Sequence, residues 1–244
     1  MATNITWDAA ADRIYETGVK QGVLYNTVLE NDGGYGNGVA WNGLTAVTES
    51  PSGAEETALY ADDIKYLSLR SAEEFGATIE AYTYPDEWKV CDGTADLGGL
   101  AGVSVGQQSR SQFGLSYRTV VGNSVKGDDY GYKLHMIYAA TASVSERAYQ
   151  TINDSPEAIT FSWEMTTTPV TIDAIEGITY KTTACLTIDQ TKLDETTKKN
   201  LVILENILYG KSGSDARLPL PNEVYTILKT GKETYNTLSS NIGD

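Results

Sequence analysis

The sequence predicts a mainly β protein, a sandwich or barrel flanked by one amphipathic α-helix and carrying long loops. Three observations predict it. Short runs alternate apolar and polar residues with a period of two, as at Leu44–Glu49 and Ile159–Met165. Clusters of Gly, Asn and Asp separate those runs as turns. One stretch alone, residues 194–210, repeats its leucines with helical spacing.

Taken in order, Val23–Leu29 reads as a first strand, ending in the glycine-rich loop Glu30–Gly38. Leu44, Ala46 and Thr48 alternate with Thr45, Val47 and Glu49, a half-buried strand. A Pro- and Gly-marked acidic excursion, Ser50–Asp63, is predicted as a long loop reaching off the sheet. The chain returns to the sheet through Tyr66–Arg70 and again through Ala77–Tyr82. Trp88–Gln108 has no clean period and is read as a short helical turn followed by a loop.

Leu115–Val121 alternates again, and Gly127-Asp128-Asp129 is read as a turn. The next strand places Tyr130, Tyr132, Leu134, Met136 and Tyr138 on one face, with Lys133 and His135 on the other. In Ile159–Met165, the Ile, Phe, Trp and Met residues all point inward. Thr183–Ile188 adds a weaker strand. The helix has Asp194 as N-cap and Glu195 at the positive end of its dipole. Its apolar face combines Leu201, Leu204 and Leu208 with Val202, Ile203 and Ile207, and Gly210 ends it in the left-handed region. Beyond Pro219 and Pro221, Glu223–Leu228 reads as a short strand or helix. No internal repeat or linker divides the 244 residues, so a single domain is expected.

The formal net charge of −15 argues against gripping a nucleic-acid backbone, which takes Lys and Arg to displace counterions. The charge is uneven. Residues 1–100 hold 17 acidic and 5 basic side chains, a net of −12, whereas 101–244 hold 16 against 13. That polarity suits either solubility or an assembly whose copies meet head to tail or present an acidic wall. Sixteen Tyr against three Phe suits rings packed at interfaces with wet hydroxyls, or a β core built on tyrosine. Cys91 and Cys185 are far apart and in no metal-ligand spacing. No basic and apolar leader opens the chain, and no apolar run approaches the ~20 residues of a membrane span. Synthesis in a reducing cytoplasm and no membrane partner are therefore expected.

Catalytic patterns are missing, so no enzyme, cofactor or metal is expected. His135, the sole histidine, lies on the polar side of its strand and is expected to face solvent. No Gly-x-Ser-x-Gly elbow occurs, and Gly98-Gly99-Leu100-Ala101-Gly102 lacks the Gly-Lys-Ser/Thr of a phosphate loop. The pairs Asp62-Asp63, Glu73-Glu74 and Asp128-Asp129 read as solvated turns and surfaces, since neighbours in sequence do not face each other across a cleft. Asn31-Asp32 lacks the alternating ligands of a calcium loop.

Several blocks, in one order, carry a resemblance. They include Trp41–Thr45, Glu49–Glu55, Glu73–Tyr82, Tyr84–Glu87, Gly106-Gln107-Gln108, Phe113–Thr119, Thr151–Glu157 and Leu218–Pro221. Together they resemble the major tail proteins of long, flexible-tailed bacteriophages of Gram-positive hosts, over nearly the whole chain from Trp7 to about Leu228. The resemblance implies a tail-tube-type β-sandwich flanked by a helix. It implies subunits that form hexameric rings stacked into the hollow tube of the virion, assembled in the host cytoplasm. Many such proteins carry a C-terminal immunoglobulin-like domain, for which this chain is too short.

Implied partners are other copies of the chain and the tape measure, tail terminator and distal tail proteins. DNA would pass through without specific binding. The excursion is then the expected inter-ring stacking element, with Glu49, Pro51, Glu55, Glu56, Asp62 and Asp63 as its contacts. Glu73 and Glu80, on polar positions of central strands, are the expected acidic residues lining the lumen. The segments 30–38 and 50–63 and the C-terminal tail are expected to order only on assembly. A carbohydrate- or host-surface-binding virion module, using exposed Tyr and Trp, is the alternative.

Overall fold

The structure, a computed structural model, describes residues 5, 7–8, 12–27, 34–151 and 158–233. Residues 28–33, which hold the start of the expected loop at 30–38, lie outside them, as do residues 152–157 and the tail at 234–244. The chain is mainly β, as the periodicity predicts.

Three strands open it: β1 (Ile14–Thr27), β2 (Tyr35–Ala40) and β3 (Leu44–Glu49). Four follow in the expected excursion and return: β4 (Ser52–Gly53), β5 (Glu56–Ala61), β6 (Ile64–Arg70) and β7 (Glu73–Glu74). Next come β8 (Gly76–Ala81), a short helix α1 (Lys89–Asp92) and a small hairpin of β9 (Ala95–Asp96) and β10 (Ser104–Val105). The long strands β11 (Phe113–Asn123) and β12 (Gly127–Ala142) lead to β13 (Phe161–Thr167) and β14 (Cys185–Asp189). Helices α2 (Glu195–Tyr209) and α3 (Pro221–Thr230) complete the order.

The main sheet is antiparallel and runs β2-β1-β11-β12-β13-β8-β3. Strand β12 is long enough to pair β14 along Lys133–Ile137 and β13 along Ala140–Ala142. The two ends of this path, β2 and β3, are joined by Trp41, Asn42 and Gly43 alone. A sheet whose outermost strands share a three-residue link has to roll up. Gly22 of β1 marks the seam: its backbone carbonyl accepts from Trp41 at 2.8 Å, and a Cβ there would lie 2.7 Å from the Leu44 side chain.

The roll encloses one core, built on Trp41, Trp88, Trp163, Ile79, Phe113, Leu115 and Ile137. Trp88 is its hub, with ring centroids 4.7 Å from Trp41, 4.8 Å from Phe113 and 5.4 Å from Trp163. A second core lies on the other face of the sheet, where Leu134, Met136 and Tyr138 meet Leu201, Leu204, Leu208, Val224 and Ile227 of the helices. Period-two alternation along β12 thus feeds two cores, one per face. Two buried tyrosine hydroxyls bind the layers together: Tyr25 donates to the Leu208 carbonyl at 2.7 Å, and Tyr138 to that of Pro219 at 3.0 Å.

Several expectations need correction. The excursion and Tyr66–Arg70 form neither a loop nor a strand of the main sheet; they are a separate β ribbon. Strand β1 begins at Ile14, nine residues before its predicted start. Ile159 precedes β13 and is partly exposed, and Val202 faces solvent on α2. Residues 95–105 are a hairpin, Gly127–Asp129 already belong to β12, and Glu223–Leu228 lie in a second helix. Asp194 caps α2 as predicted, accepting from the Thr196 and Thr197 amides at 2.9 Å. Gly210 has positive φ but an extended ψ of 158°, outside the left-handed helical region.

Candidate functional site

Between β3 and β8, which pair with each other, the chain leaves the body and returns as an arm. Its root is the pairing of Ser52 and Gly53 with Glu74 and Glu73. Gly53 sits at φ +83°, and a Cβ there would lie 2.2 Å from the Ala72 carbonyl oxygen, so the root needs glycine. Beyond it β5 and β6 pair from Glu56↔Arg70 to Ala61↔Ile64. The two residues between, Asp62 and Asp63, have φ of 49° and 62°, the primed turn that suits the twist of a hairpin. Aspartate tolerates that conformation better than most residues.

The arm is unusual in what it exposes. Tyr60, Ile64 and Tyr66 are 71, 66 and 70% exposed, and Leu69, Leu59 and Leu67 are 57, 42 and 37% exposed. The cross-strand pair Leu59↔Leu67 belongs to a ribbon that, among the described residues, pairs with no third strand. A two-stranded ribbon of this kind is marginal in water. Glu56 steadies it locally: Lys65 lies 2.6 Å away and Arg70 3.7 Å, and with Ser68 they hold its carboxyl below the usual range.

The expected stacking residues therefore divide. Pro51, Glu55, Asp62 and Asp63 are exposed along the arm, with the two aspartates at its tip. Glu56 is engaged within the arm by Lys65. Glu49 stays with the body at the end of β3, where it accepts from the Tyr117 hydroxyl at 2.8 Å. The expected lumen residues divide too. Glu80 sits on β8 opposite Ser162 and Ala46, half-buried on the face away from Ile79. Glu73 is not on a central strand; it lies in the arm root.

The outward face of β3, β8 and β13 presents Thr48, Thr78, Glu80, Ser162, Glu164 and Thr166. Glu164 was missed from sequence, although the alternation with Trp163 and Met165 marks it as the polar member of its strand. The exposed apolar side chains of the arm were missed for lack of contrast, since both faces of the ribbon are open.

His135 does not face open solvent. Its Nε2 lies 2.9 Å from the Thr119 hydroxyl and its Nδ1 3.4 Å from that of Thr187. Glu16 and Glu49 lie 3.8 and 3.7 Å away, and burial lowers its pKa against the pull of those carboxylates. Cys91 is buried and Cys185 partly so, both as free thiols. A cavity of about 450 Å³ opens between α3 and β14, lined by apolar side chains such as Ile172, Ile175, Leu186, Ile188 and Val224. Among the described residues no three His, Cys, Asp or Glu side chains group as metal ligands, and no helix is long and apolar enough to cross a membrane. No protein-family model matches the chain, and no curated protein matches its sequence.

Proposed function

We propose that the protein is a structural subunit that associates with copies of itself to build the tail tube of a bacteriophage virion. One observation carries the reading: the arm exposes six large apolar side chains on a two-stranded ribbon that no third strand joins among the described residues. Exposed apolar area of that extent on a projecting β element marks a protein–protein contact. The arm is spliced between two paired body strands, so it reaches a neighbour without disturbing its own core.

The sequence resemblance supplies the form of the assembly: hexameric rings, stacked, with DNA passing along the lumen and tape measure, terminator and distal tail proteins at the ends. The acidic balance of −15 suits a conduit that repels phosphate. Glu80 and Glu164, diagonal neighbours on the polar outer face of the sheet, are the proposed lumen-facing pair.

Negative-stain microscopy and sedimentation of concentrated protein test this. The intact chain is expected to form tubes. A variant lacking residues 55–71, with Ala54 joined to Ala72 through Asn-Gly, is expected to stay a folded monomer with an unchanged melting temperature. Intact protein that remains monomeric at high concentration, or tubes of normal form from the armless variant, would overturn the reading.

A further inference from the structure

A cavity of about 420 Å³ lies at the far end of the body, formed by α1, the residues flanking the β9–β10 hairpin and the stretch after β12. Asp92, Arg110, Ser145 and Arg147 line it. Arg147 pairs with the Asp92 carboxylate and spreads over the rings of Tyr84 and Phe161 at 5.8 and 5.9 Å. Arg110 donates to the Asp92 backbone carbonyl at 3.0 Å, but no carboxylate lies within ion-pair distance of it among the described residues. Its Nε is buried without an acceptor among the described residues. The Asp92 carboxylate thus serves Arg147 alone, and Arg110 brings a second positive charge to the cavity, in a protein that is otherwise strongly acidic. A donor without a partner is unfavourable, so an arrangement that brings an acceptor to this guanidinium is favoured.

Three features of the arm tip match this cavity. The first is charge: neither Asp62 nor Asp63 forms an ion pair among the described residues, and arginine forks suit carboxylates. The second is the apolar surround. Tyr60 and Ile64 flank the tip, while Leu97, Leu100, Val103 and Val144 stand exposed on the hairpin and strand end beside the cavity. The third is position. The arm leaves the body where Glu49 pairs with Ala77, whereas Arg147 packs on Phe161, which pairs with Ala81 at the other end of β8. Those two positions are about 14 Å apart along the strand.

The arm root and the cavity therefore lie at opposite ends of β8, and the exposed tip does not line the cavity of its own subunit. We propose that the Asp62–Asp63 tip of one copy seats in the Arg110–Arg147 cavity of the next, a head-to-tail contact that repeats without closing. This rests on the self-assembly reading and names the two surfaces that would join.

Two substitutions and a cross-link test it. Asp62→Asn with Asp63→Gly removes both charges while giving the tip a favoured hairpin turn, so the arm itself is not weakened. Arg110→Gln removes the receptor charge. Each is expected to reduce the sedimentable fraction at least tenfold, and the combination to be no worse than either alone. A photoreactive phenylalanine analogue at position 60 is expected to cross-link a second copy within residues 94–110 or 143–147, read by mass spectrometry.

If wild-type protein polymerises and the tip variant polymerises equally, this pairing is wrong while the assembly reading stands. Cross-links confined to another face rule the pairing out in the same way, and do so even if Arg110→Gln fails to fold. A wild-type protein that neither polymerises nor cross-links overturns both.

Discussion

His135 lies flat against Tyr117, with ring centroids 4.7 Å apart and planes within 4° of parallel. The two residues are direct partners across β11 and β12. The stack sits under a rim of charge formed by Glu16, Glu49 and Lys133. Lys133 pairs with Glu16, and its hydrogen bond, with that of Thr119, holds the Glu16 carboxyl below the usual range despite burial. The neutral ring of His135 is what the fold prefers.

Acid stability follows from that preference. The folded pKa of His135 lies below its unfolded value of about 6.5, so the unfolded chain binds the proton more readily. Its contribution to stability is complete above about pH 6.5 and declines as pH falls below it. Glu16, with a lowered carboxylate pKa, adds its own loss only at lower pH. Urea midpoints measured from pH 8 to pH 5 should fall, and His135→Phe, which keeps a ring on Tyr117, should flatten that fall. An unchanged slope in the variant would refute the assignment.

Asp92 should be costly to remove. Its carboxylate, 8% exposed, accepts from the Trp163 indole at 3.0 Å and pairs with Arg147. Asp92→Ala leaves both donors without their acceptor, a loss of about 3 kcal/mol. For a domain of this size that lowers the melting temperature by about 6–12 °C. Asp92→Asn keeps an oxygen for the indole and should cost less. Calorimetry that ranks the two in the opposite order would count against this account.

The cap of α2 offers a smaller and cleaner measurement. Asp194→Ala removes the carboxylate that accepts from two amide donors at the positive end of the helix and should cost about 1 kcal/mol, with Asp194→Asn recovering most of it. Chemical denaturation reads the difference directly. Equal stability of Ala and Asn variants would show that the cap contributes nothing.

Thiol chemistry should be silent at Cys91. Burial, with the charge of Asp92 beside it, pushes this thiol up to about 12, and its Sγ lies 3.2 Å from the Asn26 side-chain oxygen. Treating native protein at pH 8 with a thiol-specific reagent should leave Cys91 unmodified, and unfolding should release it. Rapid native modification of Cys91, located by peptide mapping, would contradict the structure.

Legibility from sequence tracked contrast between faces. β13 and the middle of β12, Tyr130–Met136, could be read because apolar residues alternate there with polar ones. α2 announced itself through Asp194 and the leucine spacing. The segment 14–21 could not be read, because its side chains are almost all exposed and no period survives. The same is true of the arm, apart from the Ala61-Asp62-Asp63-Ile64 turn, whose paired aspartates between apolar runs are a hairpin signal. Arg110 and Arg147 had no local signature at all. Their cavity forms where a helix, two loop stretches and a strand end converge, a coincidence only the fold creates.

Because the arm is spliced between two strands already bonded to each other, its length is decoupled from the body's stability. Adding two residues to each of its strands would carry the tip outward by about 7 Å while every hydrogen bond of the rolled sheet stayed in place. Under the assembly proposed above, the ribbon then works as a ruler. The spacing between successive copies can be retuned by insertion or deletion there, in pairs, with no renegotiation of the subunit's own folding.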